Sequence, residues 1–267
     1  MEPKLSQYKN IVVLTGAGIS ADSGISTFRD SNGLWESHRI EDVATPEAYA
    51  RNPQLVWKFY SMRRLQAAKA APNAAHTSLV NYALKHSHFS LITQNVDGLH
   101  ERADETGALP AICMHGTLNR SRCTACSAIY LDDHAYFDLD ENYAPQSTSL
   151  CSPEQKASQD YLHHYRLEYK NFLPLSPCCK APLRPHIVWF GEVPLYMDKI
   201  EKLLSKADLF VSIGTSGQVY PAAGFLQVAK LHGAKTVCIN KEGIPQSEMI
   251  DLFIEGKAID KVPEFFR

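Results

Sequence analysis

No stretch of this chain stays apolar for the ~20 residues that a bilayer-crossing helix needs. The opening residues, MEPKLSQYKN, have neither the apolar centre of a secretory signal nor the arginine-rich character of a transit peptide. A dominant charge is missing too: 27 Lys and Arg stand against 29 Asp and Glu, a net charge of −2. No basic patch with interleaved aromatics occurs, so the footprint of a nucleic-acid binder is absent. Internal repeats and low-complexity tracts are also lacking. These absences predict a cytoplasmic protein, of bacterial or organellar-matrix type, that engages neither membrane nor nucleic acid and is most simply a monomer. Without an export signal, the 7 cysteines are better read as metal ligands or buried thiols than as a disulfide framework.

What is present is ordinary globular composition, 45% hydrophobic and 21% charged over 267 residues. That is enough for one large domain with a satellite. Apolar, β-rich runs recur at Ile11–Thr15, Phe89–Thr93, Leu209–Ile213 and Lys235–Ile239, the pattern of parallel strands buried on both faces. Helical stretches lie between them: Pro46 to Ala71, with Leu55, Phe59 and Met62 at core-facing spacing, Ala74 to Lys85, and Ala222 to His232 with Gly233 as terminator. Between Arg122 and Pro185 no clean period emerges. Acidic, aromatic, Pro and Ser residues mix there with five of the cysteines, which reads as a small inserted module closed by a metal. The remaining two, Cys113 and Cys238, read as small buried hydrophobes.

The most informative segment is NIVVLTGAGISADSGISTFR, Asn10 to Arg29. A β-branched strand ends in a Gly-Ala-Gly turn, and Ser20 stands where a helix could begin. Such a turn places unpaired backbone N–H groups and a positive helix end where a diphosphate can dock. The spacing GAGxSxxSG differs from the usual dinucleotide fingerprint, so the turn alone does not decide the matter.

Five blocks follow one another in order: GAGISADSGISTFR, TQNVDGLH, MHGTL, RPHIVWFGE and GTS. Together they resemble the sirtuin family of NAD-dependent protein deacylases. The resemblance spans Gly16 to Ser216. It implies an α/β fold: a Rossmann-type parallel sheet domain (1–32, 76–117 and 184–267) with a smaller domain of helical and zinc-ribbon pieces (33–75 and 118–183). It assigns NAD to Gly16, Ala17, Gly18, Ile19 and Ser20. Phe28, Arg29 and Trp35 fall in a loop over the nicotinamide ribose, and that loop is expected to order when cofactor binds. Gln94 goes to the ribose, and Asn95 and Asp97 to the nicotinamide pocket. Further cofactor contacts fall on Gly214, Thr215, Ser216, Asn240, Lys241, Glu242 and Ala258. His115 becomes the general base, a role suited to a group that titrates near neutral pH. In the implied reaction the acyl-lysine carbonyl oxygen attacks C1′ of the ribose, nicotinamide leaves, and His115 takes a proton from a ribose hydroxyl. The acylated substrate protein is expected to lie as an extended strand against Val188, Trp189, Phe190, Gly191 and Glu192.

One structural zinc is implied. Cys123 and Cys126 form its first C-x-x-C pair, and Cys179 stands in the second, just before Leu183-Arg184-Pro185. Where a second C-x-x-C would begin, this chain has Ser176. The fourth ligand is therefore Cys151, or Cys178 as the alternative; adjacent cysteines rarely aim both sulfurs at one ion, which favours Cys151.

Tyr60 and Arg63 sit three residues apart in FYSMRR, on one helix face. A buried arginine there could hold a carboxylate in a forked pair of bonds. The sirtuin branch that removes succinyl, malonyl and glutaryl groups carries this Tyr-x-x-Arg, with a small residue upstream, here Ala44. The expectation is therefore a deacylase preferring acidic acyl groups, releasing nicotinamide and O-acyl-ADP-ribose, with weaker deacetylation. The alternatives are a plain deacetylase, or a mono-ADP-ribosyltransferase or NAD hydrolase using the same pocket.

Overall fold

The computed structural model describes residues 4–26, 34–35, 38–130, 138–139, 145–147, 169–170 and 173–267. Phe28, Arg29 and Cys151 lie outside these residues. Trp35 is described only as half of a two-residue strand, Leu34–Trp35, paired with His38–Arg39.

Four apolar runs form the centre of a six-stranded sheet. Its order is Leu252–Glu255, Lys235–Asn240, Leu209–Ile213, Ile11–Thr15, Phe89–Thr93 and Ile112–Cys113, and every pairing is parallel. Ile11–Thr15 and Leu209–Ile213 are buried at every position, because helices cover both faces. On one side Val13, Leu91 and Val211 pack with Leu79, Val262 and Phe265; on the other Leu14, Ile92 and Phe210 pack with Ile200, Leu204 and Phe225. Chain order reverses direction across the sheet at Ile11–Thr15. Its carboxyl end is thus the switch point at which open α/β sheets hold ligands.

The stretch expected as one helix from Pro46 is two, Pro46–Arg51 and Pro53–Lys69. Pro53 has no N–H to continue the first, and the Asn52 side chain instead accepts the Leu55 N–H at 3.1 Å, capping the second. Met62, expected to face the core, is 41% exposed. The buried face carries Val56, Trp57, Phe59, Tyr60, Arg63 and Arg64 instead, so two arginines occupy positions that periodicity assigns to apolar groups. Beside this helix, Gly116–Cys123 pairs antiparallel with Leu183–Ile187, and Ile129–Tyr130 completes a three-stranded sheet. Among the described residues no helix is long and apolar enough to cross a membrane.

Candidate active site

The glycine turn meets a second glycine at the switch point. Gly16 N–H donates to the Ile213 carbonyl at 3.0 Å and Gly18 N–H to the Gly214 carbonyl at 2.8 Å. A Cβ on Gly18 would lie 2.7 Å from Gly214 Cα, and one on Gly16 would lie 2.8 Å from the Gly214 oxygen. Gly214 itself has φ +58, and its own Cβ would fall 2.5 Å from Ile19 N. The glycines therefore let two backbones touch. This corrects the expectation of unpaired N–H groups followed by a helix: these donors are engaged, and the chain runs on as two 3₁₀ turns, Ala17–Ile19 and Ala21–Ser23. Around this seam Gln94 Nε2 donates to Thr215 Oγ1 at 3.0 Å, and Asn240 Nδ2 to the Thr215 carbonyl at 3.0 Å. Ser216 is half-buried, Lys241 and Glu242 are exposed, and Ala258 is buried at the start of the Ala258–Phe265 helix.

Ser20 does not begin an α-helix; its side chain turns inward. Asn95 Nδ2 donates both to the Gly16 carbonyl and to Ser20 Oγ, each at 3.1 Å. His76 Nε2 lies 3.4 Å from the same hydroxyl, and its Nδ1 accepts the Asn73 N–H at 3.3 Å. The Asp97 carboxylate accepts the Leu99 N–H at 2.9 Å. Burial pushes its pKa up, against the pull of that N–H and of the Ser20 hydroxyl. Sequence reading missed the layer beneath: His100 Nε2 lies 2.9 Å from Thr15 Oγ1, which donates to Thr93 Oγ1 at 2.9 Å. It missed His76 as well, for which a signal was available in Asn73-x-x-His76, a helix cap followed at its third position by an acceptor.

His115 stands half-buried beside these groups. Its Nδ1 lies 3.1 Å from the Gln94 carbonyl oxygen. That oxygen can only accept, so Nδ1 carries the proton and Nε2 keeps its lone pair. Burial holds the imidazole below its ordinary pKa, partly offset by the Gln94 bond, and a neutral ring at pH 7 is what a general base requires.

The segment expected to pair with substrate ties His115 to Ala44. Val188 N–H donates to the His115 carbonyl at 2.9 Å and Phe190 N–H to the Ala44 carbonyl at 3.0 Å. Trp189 N–H donates to Glu192 Oε2 at 2.9 Å. These residues are not themselves a strand: Leu183–Ile187 ends before them and Gly191, at φ +88, turns the chain. A peptide laid along them would meet three N–H groups already engaged inside the chain.

Tyr60 and Arg63 are both buried, and Arg63 is close enough for its charge to act on Tyr60 and on Asp97. Tyr60 Oη accepts the Trp189 indole N–H at 3.0 Å. Burial pushes the phenol far above its ordinary pKa, so it stays protonated and can donate. Ala44, Tyr60 and Trp189 share one apolar cluster with Phe59 and Ile187.

At the far end of the small sheet, the sulfurs of Cys123, Cys126, Cys178 and Cys179 all lie within 4.8 Å of one another. Individual separations are 3.3 Å for Cys123–Cys179, 3.0 Å for Cys126–Cys178 and 3.7 Å for Cys126–Cys179. Four sulfurs bound 2.3 Å from one zinc would stand about 3.8 Å apart, so these four cysteines are positioned to bind one zinc ion. Among the described residues the group is complete with Cys178, the alternative fourth ligand; Cys151 lies outside them. Residues 177–179 form a turn, in which neighbouring side chains splay by roughly 100° rather than the 180° of a strand. Lys180, at φ +60, then closes the turn as Ser127, at φ +59, closes the first. Ser176 Oγ lies 2.9 Å from Cys178 Sγ and, together with Tyr130 and Cys126, lowers that thiol to about 7. Burial works against ionising Cys123, but the N–H groups of Cys126 and Ala125 bring it down to about 6. A four-thiolate site leaves no position open for water, the mark of a structural metal.

A parallel sheet with a glycine seam at its switch point, joined to a small sheet that carries four clustered cysteines, defines a Rossmann-type protein with a small accessory module. Comparison with known proteins narrows this. Residues 16–221 match the model of the Sir2 family. An NAD-dependent protein deacylase of Yersinia pseudotuberculosis is 47% identical over 262 residues, covering 96% of this chain and 81% of its own length. Another, from Escherichia coli strain K12, is 46% identical over 272 residues, with 98% and 83% covered. A Sir2 homologue solved in complex with NAD superposes with a TM-score of 0.78 at 34% identity, covering 98% of this chain and 90% of that one. A Sir2 structure with a p53 peptide and NAD does so at 0.74 and 25% identity, covering 97% and 93%. The chain belongs to the Sir2 family, the sirtuins, and is an NAD-dependent enzyme of that type.

Proposed function

We propose that this sirtuin removes acyl groups from protein lysines at the expense of NAD, and that it prefers the acidic succinyl, malonyl and glutaryl groups over acetyl. The observation carrying the preference is the burial of Tyr60 and Arg63 on one helix face, against a segment whose N–H groups bond both the His115 and Ala44 carbonyls. Base and acyl pocket are thereby held at fixed separation. An arginine taken out of water gains most from a carboxylate, which it can grip in two parallel bonds, and the small Ala44 leaves room for a longer acyl chain.

The residues at the switch point fit NAD. Bare glycine backbone stands beside Gln94, Asn95 and Asp97, an amide and carboxyl set suited to ribose hydroxyls and a carboxamide. When bound, NAD supplies an electrophilic ribose carbon and a nicotinamide leaving group. Gly16 to Ser20, Gly214 to Ser216 and Asn240 hold the dinucleotide, and Asn95 and Asp97 orient its nicotinamide end. His115 accepts a ribose hydroxyl proton at Nε2 while the Gln94 carbonyl fixes its ring.

Mass spectrometry of incubations with NAD and matched succinyl- and acetyl-lysine peptides tests this. Nicotinamide and O-acyl-ADP-ribose should rise in step with acyl loss, faster for succinyl. Arg63→Met should cut succinyl turnover by at least about 100-fold, the scale of a lost buried charge pair, and acetyl turnover far less. Acyl loss without NAD would defeat the activity; equal losses on both peptides would defeat the preference.

A further inference from the structure

Trp189 sits in a frame built around its ring. The Arg184 guanidinium lies over the indole, 3.4 Å from the ring centroid. Arg184 is held in turn by Glu192, with Nη1 2.7 Å from Oε1 and Nη2 2.8 Å from Oε2, a forked ion pair, and by the Ile187 carbonyl at 2.8 Å. Glu192 Oε2 also accepts the Trp189 main-chain N–H. Tyr49 packs against the indole with ring centroids 5.4 Å apart, so the ring is 2% exposed. All of this fixes where one polar atom points: Nε1, 3.0 Å from Tyr60 Oη.

An indole N–H only donates. The phenol oxygen must therefore accept from it, and the phenol's own proton is left for another acceptor. Arg63 stands three residues further along the same helix, near enough for its charge to act on the phenol. A carboxylate gripped by Arg63 would be an acceptor within reach of that proton. We propose that Trp189 is a specificity-determining residue: by occupying one lone pair of Tyr60 Oη, it reserves the Tyr60 proton for the carboxylate of an acidic acyl group. Acetyl offers no such acceptor. The inference rests on the acidic-acyl reading given above.

The test is the ratio of kcat/KM for succinyl-lysine to that for acetyl-lysine peptide. Trp189→Phe keeps an aromatic ring and removes the N–H, so the phenol proton is free to turn elsewhere; the ratio should fall by up to about tenfold, the size of the phenol's hydrogen bond to a charged group. Tyr60→Phe should lower it by at least as much, and the double variant should fall no further than Tyr60→Phe alone, because Trp189 acts only through the Tyr60 hydroxyl. If Trp189→Phe does not fold, benzothienylalanine introduced at position 189 removes the N–H with the bicyclic shape intact. Proportional loss on both peptides, or losses that multiply in the double variant, would overturn the role of Trp189. Arg63→Met run in parallel separates the two failures. A ratio unmoved by Arg63→Met refutes the acidic-acyl reading itself; a ratio collapsed by Arg63→Met but kept by Trp189→Phe refutes only this inference.

Discussion

The Nδ1 of His115 donates to the main-chain carbonyl of Gln94, the residue directly after the central Phe89–Thr93 strand. The imidazole proposed as general base is thus held by the sheet edge that also positions Asn95 and Asp97, and its tautomer is set by an oxygen that cannot donate. Burial lowers its pKa, so protonation, which removes the base, sets in below the ordinary histidine value of about 6.5. The kcat/KM for deacylation should be flat across neutral pH and fall on an acid limb centred under about 6.5. His115→Ala should lose roughly 100-fold to 10,000-fold in rate together with that limb. An acid midpoint above 7 would contradict the burial argument.

The glycine seam makes a sharper claim about NAD. Adding a methyl at Gly18 places it 2.7 Å from Gly214 Cα, backbone against backbone, where neither side can rotate away. Gly18→Ala should cost about 1–3 kcal/mol through overpacking and raise the KM for NAD by prising the two turns apart. Gly243→Ala is the control, since nothing lies within 4 Å of its added methyl. Thermal melting and NAD titration of both variants check this; equal behaviour would show that the contact carries no weight.

The strands at Ile11, Phe89, Leu209 and Lys235 were legible because a strand buried on both faces writes a nearly continuous apolar run. The edge strand Leu252–Glu255 was not, since its alternating half-buried and exposed positions carry little signal in four residues. The helix reading failed at Met62, which is exposed, and did not foresee the burial of Arg64. Arg64 is buried because its Nε donates to the Leu118 carbonyl at 2.6 Å, a partner 54 residues away that no local pattern reveals. The glycine turn was found for a partly mistaken reason: it was read as a source of free N–H groups, whereas its glycines also serve a contact with Gly214. Long-range packing is what a linear reading loses.

The buried histidines should make the protein sensitive to acid. Burial lowers His76 to about 4; it lowers His100 well below the usual value, with His76 as a lesser cause. In the unfolded chain both titrate near about 6.5. Below that pH the unfolded state binds more protons than the folded one, so stability falls as pH falls towards 4 and is untouched above 7. His76 alone accounts for roughly 3 kcal/mol over that window. Urea midpoints at pH 7 and pH 5 measure the loss. His76→Gln, which keeps an acceptor for the Asn73 N–H, should shrink the difference between them; an unchanged difference would mean His76 takes up its proton without strain.

The cysteine group supplies the last test, because the choice between Cys178 and Cys151 is a choice between two ligand sets. Cys178 Sγ stands 3.0 Å from Cys126 Sγ, and Ser176 lowers its thiol by a hydrogen bond, which favours the thiolate form that zinc binds. Cys178→Ser should therefore release the metal as readily as Cys126→Ser does, while Cys151→Ser and Cys113→Ser should retain one ion per chain, measured by zinc content after gel filtration. Loss of zinc should also loosen the small sheet, since Cys123 is buried against Trp57 and Leu183. Trp57 Nε1 and Tyr49 Oη both donate to the Leu183 carbonyl, at 2.9 and 2.7 Å, and Tyr49 packs on Trp189. Chelation should thus lower activity through the proposed acyl pocket, with the KM for acylated peptide rising more than the KM for NAD. Zinc kept by Cys178→Ser and lost by Cys151→Ser would reverse the ligand assignment.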